Sequence, residues 1–126
     1  MFKEAKAFSS FSINDVQKAK QFYGETLGLA MQEQEEGLSL TLGGGGTVFL
    51  YPKPNHEAAT FTVLNFPVAN IDEAVAELKK RGVQFEHYDT PHFKTGPDGI
   101  ARGNEHAPTI AWFKDPSGNV ISVIQS

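Results

Sequence analysis

Three of the chain's four histidines, His87, His92 and His106, fall within one stretch, His87 to Pro108, together with Tyr88, Asp89, Asp98, Arg102 and Glu105. Imidazole moves protons near neutral pH and ligates metals. A guanidinium grips carboxylate or phosphate through a planar fork. If the stretch folds as a lid, Arg102 becomes an anion anchor and His92 or His106 a proton carrier. A metal site is the other chemistry on offer. No H-x-x-x-H or H-E-x-x-H spacing occurs, so nothing local turns two imidazoles towards one ion. A set drawn from His56, His92, His106 and Glu105 would depend wholly on the fold. With no cysteine, the chain has no disulfide, thiolate nucleophile or sulfur ligand.

Other motifs carry less. The run Gly43 to Gly46 follows a short strand, opens no helix and lacks the Lys-Ser/Thr ending of a phosphate loop, so it reads as a hairpin turn. Ser9, Ser10 and Ser12 have no G-x-S-x-G elbow around them. Composition narrows the field further. A chain of 126 residues with 40% apolar and 21% charged residues is sized for one globular domain or two small modules. A formal net charge of −4 and two arginines, Arg81 and Arg102, leave no basic face for nucleic acid. That charge mildly favours a cationic ligand. No apolar run reaches the ~18 residues of a membrane span. The opening MFKEAKAF lacks a signal peptide's charged and apolar regions, so a cytoplasmic protein is expected.

These residues must be positioned by a pattern that occurs twice. Lys6 to Ile13 alternates at strand period, Asp15 stands at an N-cap, and Val16, Ala19, Phe22, Tyr23 and Leu27 recur at helical spacing until Gly28. Strands are expected at Ala30 to Gln34, Leu38 to Leu42 and Thr47 to Tyr51, with Gly37 and the glycine run as turns. After a proline-broken linker, Thr60 begins a second strand. Asn70 caps a second helix, with Glu73 completing a capping-box pattern. Ile71, Ala74, Val75 and Leu78 form its apolar stripe and Gly82 ends it. Val83 to Glu86 reads as a strand and His87 to Pro108 as a loop. Thr109 to Lys114 and Val120 to Ile124 are strands joined by a turn at Asp115 to Asn119. A structureless connection as long as His87 to Pro108 exceeds the ~12–15 residues common in compact domains, which leaves two readings, a functional lid or a plain disordered loop with solvated histidines.

The paired segments FSSFSINDV and VLNFPVANI, with FKDPSGN ahead of a final strand, resemble the vicinal oxygen chelate superfamily of glyoxalase I, bleomycin-resistance and extradiol dioxygenase proteins. The resemblance spans essentially the whole chain. It implies an α+β fold of two βαβββ modules, about 1–55 and 56–126, whose curved mixed sheets form a shared cleft. Most enzymes of that superfamily polarise a substrate with a divalent metal. At the four positions where they hold it, this chain offers Phe8, a residue near Phe49, Val63 and Ser122.

Strand parity extends that reading. If Phe11 and Ile13 lie beneath the first helix, then Phe8, Ser10 and Ser12 take the opposite face, with Phe49 and Tyr51. In the second module Leu64, Phe66 and Val68 face the helix, leaving Val63 and Asn65 opposite, and Ser122 falls where a ligand Glu is common. A Phe and a Val at two ligand positions leave a divalent ion short of donors. Trp112 joins the set as an aromatic with a polar handle.

The resulting expectation is a protein that binds a small organic molecule without metal or other cofactor, as a homodimer, in the manner of bleomycin-resistance binders. The expected contacts are Phe8, Ser10, Phe49, Tyr51, Val63, Asn65, Arg102, Trp112 and Ser122. A structural rival is a small dimerisation or regulatory module with a filled, inert cleft, in which Tyr51 and Trp112 are simply packed, and two enzyme alternatives stand beside it. One is a glyoxalase- or dioxygenase-type metalloenzyme with relocated ligands from His56, His92, His106 and Glu105. The other is a metal-free lyase or isomerase using Arg102 and a loop histidine.

Overall fold

The alternation in the first strand is resolved by a single aromatic contact: Phe11 lies against Tyr23 of the first helical segment, ring centroids 6.4 Å apart. The computed structural model describes residues 1–126 as two units, Met1–Glu57 and Ala58–Ser126. The first contains β1 (Ser9–Ile13), α1 (Val16–Lys20), β2 (Ala30–Gln34), β3 (Gly37–Thr41) and β4 (Thr47–Pro52). The second contains β5 (Thr62–Pro67), α2 (Ile71–Lys80), β6 (Ile100–Ala101), β7 (Thr109–Lys114) and β8 (Val120–Gln125). Each is a βαβββ module with the same strand order, β1-β4-β3-β2 and β5-β8-β7-β6, parallel in the first pair and antiparallel in the others.

The first unit buries Ile13, Leu38, Leu40, Val48 and Leu50 with Ala19 and Tyr23. These strand residues share one face of the sheet, because register pairs Leu38 with Leu50 and Leu40 with Val48. Asp15 accepts from the Lys18 amide at 3.0 Å, as an N-cap does. The expected single helix to Leu27 is instead a short α-helix that widens into a π-helical turn over Gln21–Thr26. The Leu27 amide there reaches back to the Phe22 carbonyl at 2.9 Å. Gly28, at φ +74°, ends it.

In the second unit Leu64, Phe113, Ile121, Val123, Ala111 and Ile100 form the buried face beneath Ile71, Val75 and Leu78 of α2. The start of α2 is held twice. Asn70 accepts from the Glu73 amide at 3.1 Å, and Gln125 of β8 accepts from the Ile71 amide at 2.7 Å.

Two expectations change here. Val83 to Glu86 is not a strand. Its contact with β7 is one bridge, Phe85 to Phe113, beside a bond from the Glu86 amide to the Trp112 carbonyl at 2.8 Å. The strand that pairs with β7 is Ile100–Ala101, inside the stretch read as loop, opposite Ala111 and Ile110. One strand edge has one set of free backbone groups, and two segments divide it. Secondly, β5 is irregular: Thr62 pairs with Val120 and Leu64 with Ile121, leaving Val63 without a partner. Such a bulge resets strand parity.

The turn from β7 to β8 is a buried polar knot. Asp115 and Asn119 are almost inaccessible. One Asp115 oxygen accepts from the Ser117 and Asn119 amides, both at 2.9 Å, and the other from Asn119 Nδ2 at 3.1 Å. Gly118 takes φ +83°, where an added methyl would also come within 3.2 Å of Ala58. Replacing Asp115 by Ala removes the acceptor from three donors in a dry site and is expected to cost about 2–3 kcal/mol, measured by urea unfolding.

Candidate functional site

The long stretch after α2 consists of two tight hairpins. In the first, the Thr95 amide bonds to the Tyr88 carbonyl at 2.8 Å and the Tyr88 amide to Thr95 Oγ1 at 2.8 Å, and Asp89 bridges to Lys94. The Thr90 amide donates to the Phe93 carbonyl at 3.0 Å, while Thr90 Oγ1 accepts from the Phe93 amide at 3.1 Å. That closes a four-residue turn around Pro91. The second hairpin runs from β6 to β7. Asn104 and Ala107 exchange backbone bonds at 2.9 and 3.3 Å, and Asn104 Oδ1 accepts from the His106 amide at 2.7 Å. The Gly103 amide donates to Thr109 Oγ1 at 2.9 Å. A side chain at Gly103 would meet the carbonyl oxygens of Ala107 and Pro108 at 2.1 and 2.3 Å, so this strand crossing requires glycine.

Both hairpins border the sheet face that α2 leaves uncovered. Trp112 is the centre of that face, 8% exposed, with Ala101, Val120, Ile110 and Tyr88 packed around it. Tyr88 meets Trp112 edge to face at 5.4 Å, and Phe93 lies tilted against it at 5.0 Å. Aromatic pairs in these arrangements gain about 0.5–1.5 kcal/mol beyond their area, enough to seat a hairpin that has few other anchors. Burial, then the neighbouring Glu86 carboxylate, push the Tyr88 phenol above its usual 10.0. The indole N–H of Trp112 donates to Thr62 Oγ1 at 3.1 Å, and Ser122 donates to Asn65 Oδ1 in a short bond.

Between the hairpin tips is a concavity of about 530 Å³, with Ile110, Trp112 and Ala101 on one side and Phe93, Lys94 and Asn104 among its other lining residues. Phe93 is its open ring, 45% exposed. A volume of this order suits a small organic molecule.

The expected residues divide between the units. Asn65, Trp112 and Ser122 share the uncovered face of the second sheet, since Ser122 pairs with both of the others. Thr62 joins them as the partner of the indole, whereas Val63 is the unpaired bulge residue. Unbroken alternation from Leu64, Phe66 and Val68 would put Thr62 on the helix side; the bulge interrupts it. Arg102 borders the concavity, but its guanidinium is held by Asp72 at 2.7 and 3.1 Å and by Asp98 at 3.0 Å. The hydrogen bond to Arg102 holds the Asp72 carboxyl below its usual value. The Ile100 amide, then Arg102, do the same for Asp98.

In the first unit Ser10 pairs with Phe49 and Ser12 with Tyr51, on the face away from α1. Phe49 and Tyr51 lie nearly parallel with centroids at 6.5 Å, and Phe8 is exposed. Ser12 Oγ and His56 Nδ1 are 2.6 Å apart, a contact between distant parts of the chain that sequence spacing does not reveal. His106 lies 3.3 Å from Glu105 on an exposed tip, and His92 is on the other hairpin. Nowhere do three His, Asp or Glu side chains converge as ligands.

Comparison with known proteins fits this architecture. The sequence profile described as the glyoxalase/bleomycin resistance protein/dioxygenase superfamily matches residues 9–123. The chain belongs to that superfamily. No curated protein matches it. Among solved structures, TnmS3, an antibiotic binding protein from Streptomyces sp. CB03234, is 27% identical with a TM-score of 0.67, covering 97% of each chain. A glyoxalase/bleomycin resistance protein from the same organism is 28% identical with a TM-score of 0.59, covering 93% of this chain and 98% of that one. A glyoxalase family protein from Enterococcus faecalis, 22% identical with a TM-score of 0.70 over 98% and 99%, shares the fold.

The superfamily's metal does not fit the residues at the corresponding positions. Of the positions that the resemblance implies, the side chains of Phe8, Val63 and Phe49 (which only marks the neighbourhood of its position) have no donor atoms, and the hydroxyl of Ser122 is fully buried and bonded to Asn65. A divalent ion needs several convergent nitrogen or anionic oxygen ligands.

The Arg102 cluster yields a pH prediction. Asp72 and Asp98 ionise more readily in the fold than at the usual 3.8, so their contribution is complete above that value and lost as pH falls through the lowered ones. Exchange of the Ile100 amide, which donates to Asp98, should accelerate in that acid range. Arg102→Gln should accelerate it already at neutral pH. Because the cluster is exposed, that change should leave the midpoint of global unfolding in urea nearly unmoved.

Proposed function

We propose that this protein binds a small, largely apolar organic molecule without a metal, against the aromatic floor formed by Trp112, Ile110 and Phe93. The observation that carries the reading is the concavity between the two hairpin tips. It combines an accessible ring, a buried aromatic edge and a few polar groups, the usual make-up of an organic-ligand site. The similarity to an antibiotic binding protein over nearly the full length supports binding as the role. Three polar groups expected to act there are already engaged: Arg102 by two carboxylates, Ser122 by Asn65, and the indole N–H of Trp112 by Thr62. No helix is long and apolar enough to cross a membrane.

A cytoplasmic homodimer completes the reading. Its support is the family resemblance together with the exposed Phe8 and Phe61, at 64% and 68%. Sedimentation equilibrium at micromolar concentration checks the dimer.

The binding claim is tested by calorimetry with a panel of aromatic antibiotics and metabolites, with and without chelator, on protein whose metal content has been measured. The expected result is affinity indifferent to chelator and weakened about 10-fold by Phe93→Ala, as loss of a partly exposed aromatic contact implies. A stoichiometric metal whose removal abolishes binding would contradict it.

A further inference from the structure

Resting on that reading, we infer that the concavity selects planar aromatic anions, against the sign of the chain's own net charge. The lining includes Lys94, His92, Arg102 and Asn104 and contains no carboxylate, although the chain carries 15 acidic residues against 11 basic ones. These groups differ in what they have left to give. Arg102 is already matched by Asp72 and Asp98. Lys94 is different: it bridges Asp89 through the backbone, yet its ammonium has no carboxylate within ion-pair distance and no hydrogen-bond acceptor in the fold. Asn104 uses its Oδ1 for the His106 amide and keeps both amide hydrogens. His92 takes part through its backbone N–H, to Thr90 Oγ1, and its ring is uncommitted.

The rim therefore offers spare donors and one uncompensated cation. Thr90 Oγ1, a polar oxygen in the same wall, is occupied by its own turn. A bound molecule meets this arrangement best with acceptor oxygens of negative charge, and meets Phe93, Ile110 and Trp112 best with a flat apolar body. An aryl carboxylate or aryl phenolate has both. Local charge at a concave site outweighs a net charge spread over the rest of the surface, because exposed charges beyond about 8–10 Å are screened at physiological salt. A cationic ligand, which net charge alone would favour, meets Lys94 with like charge.

Three isosteric probes test this: 2-naphthoate, 2-naphthamide and 2-naphthylmethylammonium. The chain has one tryptophan, so its single indole N–H resonance reports binding at Trp112 without assignment. The expected order is naphthoate, then amide, then ammonium, with naphthoate favoured over the amide about 3–5-fold, as a partly exposed charge contact permits. Lys94→Gln should remove that preference by weakening naphthoate about 3–5-fold more than the amide, and added salt should act like the substitution. Equal binding of naphthoate and amide, insensitive to Lys94→Gln but weakened by Phe93→Ala, would overturn the anion preference and leave the aromatic site standing. If no probe moves the indole resonance, or Phe93→Ala changes nothing, the aromatic site falls, and the anion preference with it.

Discussion

A four-stranded sheet has two faces, and each unit of this chain supplies one helix to cover them. The face beneath α1 is closed by Ile13, Leu38, Leu40, Val48 and Leu50, and the face beneath α2 by Phe113, Ile121, Val123 and their neighbours. The remaining face of each sheet cannot be built in the same way, since nothing in its own module packs a helix there. The chain answers differently in the two units. In the first, the uncovered face carries serines with the Phe49–Tyr51 pair. In the second it carries Trp112, with a hairpin laid over one part of it through Tyr88 and Phe93.

That hairpin converts an uncovered sheet face into a bounded site. Its own bonds are local: the Thr90 turn and the Tyr88–Thr95 pair. The aromatic contacts with Trp112 tie it to β7. Apolar material therefore lies at the base of the concavity and spare polar groups at its edge, the separation that lets a binding site hold a flat molecule and orient it. The hydroxyls and amides within the sheet face are paired with each other, which avoids the cost of buried unsatisfied groups.

Much of the fold was legible from period and punctuation. The caps at Asp15 and Asn70, the glycine stop at Gly28 and the Asp115–Asn119 turn are local features, so sequence alone locates them. What escaped depends on long-range partners. The π-helical turn after Lys20, the division of the β7 edge between Phe85 and Ile100–Ala101, and the bulge at Val63 have no local signature. The bulge matters most for the site, because one unpaired residue exchanges Thr62 for Val63 as the neighbour of the indole. The loop read as structureless is two hairpins, whose turns at Thr90–Phe93 and Asn104–Ala107 contain Pro91 and Asn104. The polar side chains there were recognisable as functional candidates. That Arg102 is tied up and Lys94 is not follows from Asp72, which lies in a different element.

The most direct test is chemical-shift mapping of a library of small aromatic fragments on isotopically labelled protein, with a chelator present throughout. Binding at the aromatic floor predicts that the largest shifts concentrate on Phe93, Ala101, Ile110 and the Trp112 indole. Shifts centred instead on Phe8, Phe49 and Tyr51, or appearing only when a divalent metal replaces the chelator, would contradict the account.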